Sequence, residues 1–102
     1  MSVRDDLPRL SAIETLILDL LAEEREMYGL ELVEASKQRI KRGTVYVTLA
    51  RMEQKGYVGS RQEATGSVAI GLPRRMYRVT PLGLRVREAW AIVRRTLAWE
   101  GI

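Results

Sequence analysis

Three observations in this 102-residue sequence predict a mainly helical fold carrying one small β-hairpin. Apolar residues recur at helical spacing in three stretches before Gly56. Two runs, near 57–63 and 74–80, read as strands separated by a segment rich in glycine and ending in proline. The stretch from Thr80 to about Glu100 returns to helical spacing and is long for so small a chain. Three helices, a hairpin and a last helix make a winged helix-turn-helix over residues 1–80 with an appended helix over 81–102.

Residues 1–9 read as a short arm, because Asp5, Asp6 and Pro8 disfavour regular structure. The first helix starts at Ser11, which forms a capping box with Glu14 three residues on, and it ends near Glu24. Ile13, Leu16, Ile17, Leu20 and Leu21 make its core face. Leu18 falls outside that face and is expected to touch a second chain. After Met27-Tyr28-Gly29, a shorter helix runs from Tyr28 to about Gln38, with Glu31 and Glu34 outward. The basic turn Ser36 to Gly43 reverses the chain, and Ile40 is expected to plug the core.

The third helix, Gly43 to Gly56, has two different faces. Val45, Leu49 and Met52 fall on its core side, Thr44 is expected to cap it, and Gly56 to take the left-handed turn that ends it. The other side carries Thr44, Val47, Ala50, Arg51 and Gln54, short or polar, with Lys41, Arg42 and Lys55 nearby. A helix of small side chains ringed by positive charge suits the DNA major groove.

Charge is distributed to match. Residues 1–40 hold five Lys and Arg against nine Asp and Glu, a balance of −4, whereas residues 41–102 hold twelve against four, a balance of +8. Such asymmetry argues for one oriented polyanion-binding face, the alternative being charges that only solvate helices. The sequence has neither cysteine nor histidine, which excludes disulfides, thiolate chemistry and the usual zinc ligand sets. No metal or cofactor is expected, and an enzyme would need paired carboxylates in a pocket, for which the acidic residues are badly placed. Short apolar runs and the start MSVRDDLPRL lack a membrane span or signal peptide, so a cytoplasmic protein is expected.

Pro81 opens the last helix at its first position. Leu82, Val86, Ala89 with Trp90, Val93 and Leu97 step by about one helical turn, close to a coiled-coil seam, and are expected to join two copies. A homodimer with two recognition helices needs a palindromic site with half-sites about 34 Å, or a multiple, apart.

The chain resembles the PadR family of transcriptional regulators. The resemblance is carried by Leu16-Ile-Leu-Asp-Leu-Leu-Ala22, by Tyr28-Gly29, by Gly43-Thr-Val-Tyr46 and the helix it opens, by Gly71-Leu-Pro-Arg-Arg-Met-Tyr-Arg-Val-Thr80 and by Pro81-Leu-Gly83. It implies a winged-helix homodimer that represses transcription and is released by a small ligand, often aromatic or drug-like. Many members have several C-terminal helices. Only residues 82–102 follow Pro81 here, as in the short branch with one dimerising helix.

The candidate DNA-binding residues are Lys41, Arg42, Thr44, Tyr46, Val47, Ala50, Arg51, Arg74 and Arg75. Thr44 would meet a phosphate or base at a helix N-terminus. Tyr46 either reaches a phosphate or packs under the turn, and the resemblance favours DNA. Val47 and Ala50 can touch thymine methyls, Arg51 a guanine edge or a phosphate, and Val47 or Arg51 is the expected base reader. Arg74 and Arg75 point to opposite sides of the wing strand, and Arg74 is the expected minor-groove contact, the alternative being a charged edge strand. Trp90 is either dimer core or, with Val93, an effector pocket closed over a flat apolar ligand. The rival function is a winged-helix protein-interaction module. RNA binding is disfavoured by the lack of interleaved aromatics.

Overall fold

The computed structural model describes residues 7–63 and 74–100. The expected wing tip, residues 64–73, and the start of the expected arm lie outside the described residues. In chain order the elements are α1 (Ala12–Glu23), β1 (Met27–Tyr28), α2 (Gly29–Ala35), α3 (Arg42–Gln54), β2 (Val58–Gln62), β3 (Arg75–Val79) and α4 (Pro81–Glu100). The winged helix-turn-helix is present, and its strands form an antiparallel sheet in the order β1-β3-β2.

The capping box forms at the start of α1: the Glu14 amide donates to Ser11 Oγ at 3.1 Å and the Ser11 amide to Glu14 Oε1 at 2.8 Å. Leu18 departs from expectation. It is fully buried beside Ile17 and Leu21, so it has no surface to offer another chain. α1 is central, touching α2, α3, β3 and α4, and a helix surrounded in this way buries a wider arc than a surface helix does.

Met27-Tyr28 is not only a break between helices. It pairs with β3, Tyr28 opposite Met76, and adds a third strand to the sheet. α2 stops earlier than the sequence suggests. Ser36 Oγ donates to the Val33 carbonyl at 2.8 Å and accepts from the Ile40 amide at 2.9 Å, while Lys37 and Gln38 take φ of 55° and 68°. The serine thus competes with helix continuation and ties down the turn that delivers Ile40, fully buried, to the core.

α3 begins two residues before the expected cap. Lys41 occupies the cap position without a side-chain bond, and the Thr44 hydroxyl instead donates back to the Lys41 carbonyl at 3.3 Å. Val45, Leu49 and Met52 are fully buried. Gly56 takes the left-handed turn with φ of 83°. Its carbonyl accepts from Thr80 Oγ1 at 2.5 Å, and the same hydroxyl accepts from the Gly83 amide at 3.0 Å. One threonine therefore caps α4 and anchors it to the end of α3.

The first half of α4 lies on the body. Val86 is buried in the chain's own core, Trp90 packs against that core, and Arg87 Nε meets Asp19 Oδ1 at 2.8 Å. Arg94 to Ala98, further along, are all exposed, and the chain measures 54 × 25 × 22 Å.

Candidate nucleic-acid interface

The core residues of α3 fix which side faces out. With Val45, Leu49 and Met52 inward, Thr44, Tyr46, Val47, Ala50 and Arg51 are exposed, and Lys41 and Arg42 are exposed at the start of the helix. Among the described residues, no carboxylate pairs with Lys41, Arg42 or Arg51. Lys55, by contrast, is tied to Glu14 at 3.0 Å, and its charge fixes α3 to α1.

Tyr46 is both packed within the chain and open to solvent. Half of it is exposed, yet its ring rests on Gly29: a Cβ there would lie 2.5 Å from Tyr46 Cε1 and 2.8 Å from its hydroxyl oxygen. Any larger residue at position 29 would push that ring aside.

The two wing arginines differ sharply. Arg74 makes a two-pronged contact with Glu63, Nε to Oε2 at 2.7 Å and Nη2 to Oε1 at 3.2 Å, and its guanidinium lies 4.4 Å from the centre of the Tyr28 ring. Glu63 raises the arginine's pKa further, so this charge is already engaged within the chain. Arg75 lies on the same sheet face as buried Tyr77, two residues on, which is the face turned toward the core. It donates from Nη1 to Ser60 Oγ at 3.0 Å, and Ser60 in turn donates to Glu53 of α3 at 2.7 Å. Of the two, Arg75 is the one linked through Ser60 to α3. On the other sheet face Arg61 clamps Glu26 at 2.8 and 2.5 Å, and hydrogen bonding to Arg61 holds the Glu26 pKa below its ordinary value.

The expected dimer seam divides. Val86 is turned inward, buried by the chain's own core, and so is corrected from the seam along with Leu18. Trp90 packs on its own chain and donates from Nε1 to the Pro8 carbonyl at 2.7 Å. Ala89 and Val93 are half-buried, Leu82 and Leu97 are exposed, and so are Leu84 and Ile92, which the seam spacing did not single out. The cause is the docking of α4 on α1, which consumes the side carrying Val86 and Trp90.

A cleft of about 600 Å³ lined by Leu20, Met27, Glu23, Glu24 and Glu31 gathers much of the negative charge of the first forty residues; it touches neither Trp90 nor Val93. Among the described residues no acidic group is arranged to hold a metal, and no helix is long and apolar enough to cross a membrane.

The family model for the transcriptional regulator PadR-like family matches residues 17–89. The fold is similar to a PadR family transcriptional regulator from Eggerthella lenta, at 32% identity over 85% of this chain and 79% of that one, with a TM-score of 0.64. It is similar to a PadR family regulator from Clostridium difficile, at 27% identity over 87% and 97%, with a TM-score of 0.68. Bacillus subtilis PadR, solved in complex with operator DNA, shares the fold at 21% identity over 83% of this chain and 49% of that one, with a TM-score of 0.70. No functionally curated protein matches the sequence. A winged helix-turn-helix with an open, basic third helix, matched by the family model over most of its length, places this chain in the PadR-like family of transcriptional regulators.

Proposed function

We propose that the chain is a sequence-specific DNA-binding repressor that acts as a homodimer on a palindromic operator. The observation that carries this reading is the outer face of α3, where Thr44, Tyr46, Val47, Ala50 and Arg51 are exposed together beside Lys41 and Arg42, which pair with no carboxylate among the described residues. Small side chains admit the helix to the major groove, and the cations neutralise flanking phosphates. A fold shared with a PadR protein solved on operator DNA supports the DNA-binding reading. Val47 or Arg51 reads a base, and Arg75 serves as the wing's phosphate contact, because Arg74 is held by Glu63 and Tyr28.

Two copies meet through the far half of α4, where Ile92 and Leu97 are exposed on a helix that outruns its own body. Occupation of the operator by such a dimer blocks transcription. A small aromatic or hydrophobic effector relieves it through Trp90 and Val93, and planar hydrophobic compounds are expected to quench tryptophan fluorescence saturably. Selection of bound duplexes from a random pool tests the DNA reading. An inverted repeat should be enriched; no enrichment would favour a protein-interaction module instead.

A further inference from the structure

Two adjacent residues outside α3 and outside the wing touch both. The ring of Tyr46, on the exposed side of α3, rests on the Gly29 backbone so closely that a side chain there would displace it. One residue earlier, the Tyr28 ring carries the Arg74 guanidinium at 4.4 Å, and Arg74 is gripped through Nε and Nη2 by Glu63. Glu63 and Arg74 also make a backbone rung, Glu63 amide to Arg74 carbonyl at 2.7 Å, so this clamp sits at the root of the wing.

The step itself is held in place. Tyr28 is locked in register with Met76 of β3, and its amide donates to Glu31 Oε1 at 2.9 Å, which fixes the corner between β1 and α2. A shift at Tyr28-Gly29 would therefore move the seat of Tyr46 and the hold on Arg74 together.

We propose that the Tyr28-Gly29 step is a positioning element that sets the recognition helix and the wing root at one mutual angle, so that both grips meet the duplex in a single register. Arg74 is then a positioning residue and not a phosphate contact. This rests on the DNA-binding reading above and adds to it a geometric source of specificity. Phosphate contacts fix orientation and base contacts carry sequence information, so a change in the angle between the two grips costs the selected site more than it costs arbitrary DNA.

Two variants separate this from simple electrostatics. Glu63→Gln loosens the Arg74 clamp and makes the chain more positive by one charge. If Arg74 contributed only charge, its release would tighten binding and steepen the salt dependence by about one unit. The positioning role requires weaker binding to the selected duplex in spite of the added positive charge. Gly29→Ala displaces Tyr46 while leaving every charge in place.

The probes are the duplex enriched by the wild-type protein and a scrambled duplex of the same composition, with affinities measured by anisotropy across a salt series. For each variant the preference for the enriched duplex over the scrambled one should fall roughly tenfold, and for Gly29→Ala, which alters no charge, affinity for the scrambled duplex should stay within about twofold. Tighter binding of the enriched duplex by Glu63→Gln, or an unchanged preference in the variants that fold, would overturn the proposal. Glu63 is partly exposed, so its variant keeps the test decisive should Gly29→Ala fail to fold. Absence of enrichment by the wild-type protein removes the DNA reading, and this inference with it.

Discussion

At the scale of single residues, close approaches explain positions that composition leaves mute. A Cβ on Gly83 would collide with the Tyr57 carbonyl oxygen and stand 2.9 Å from Val79 Cγ2, so the first turn of α4 can rest on the start of β2 only without a side chain there. Backbone cannot yield as a flexible side chain can. Gly83→Ala should cost about 1–3 kcal/mol of stability in urea unfolding. Charge gives a second prediction at this scale. Arg75→Ala should weaken binding to all duplexes alike and flatten the salt slope by roughly one unit, as expected for one lost phosphate contact. Arg74 and Arg75 are adjacent and chemically identical, and strand alternation alone, which favoured Arg74 in the sequence, does not see what each one meets. What ranks them is Glu63, whose opposition to Arg74 depends on strand pairing across a loop, and Tyr28, which comes from a strand only two residues long.

At the scale of elements, local signals were legible where a residue acts on its own helix. Ser11 with Glu14, Gly56 and Thr80-Pro81 each mark a boundary by bonds that span a few residues, and these boundaries stand as the pattern suggests. Signals failed where the partner is distant in sequence. β1 is too short to alternate, and Leu18 looked outward only because a helical wheel assumes one covered side whereas α1 is covered on several. Thr44 competed for the cap with Lys41, whose backbone geometry decided the matter. Glu14 adds a testable link between elements. Burial works to raise its pKa, but the Ser11 amide, the Lys55 ammonium and the Ser11 hydroxyl outweigh that and hold it below its ordinary 4.5. A lowered folded-state pKa favours the ionised form, so its contribution is full above about 4.5 and is lost as pH falls through the lower folded value. Acid unfolding should therefore weaken the α1 to α3 tie, and Glu14→Gln should lower stability near neutral pH while making it less sensitive to acid.

At the scale of the whole molecule, the chain is asymmetric in charge and in shape, and both asymmetries serve the proposed assembly. The basic half contains α3, the wing and α4. α4 is shared between two tasks: Val86 and Trp90 belong to the chain's own core, and Ile92 and Leu97 remain exposed beyond it. The helical repeat showed that α4 was amphipathic but could not divide it, since inner and outer positions alternate within the same apolar stripe. Replacing Ile92 and Leu97 together by Glu should leave the fold intact and shift sedimentation from dimer to monomer. Affinity for a two-half-site duplex should drop by about a hundredfold through loss of the linked second contact.

The central claim is that the exposed face of α3 reads sequence. Repeating the selection from random duplexes with Val47→Ala/Arg51→Ala, in parallel with the wild-type chain, tests it most directly. The wild-type protein should enrich an inverted repeat, and the variant should lose preference at a symmetric pair of positions within it while still binding DNA. Enrichment of the same repeat, unaltered, by the variant would contradict it.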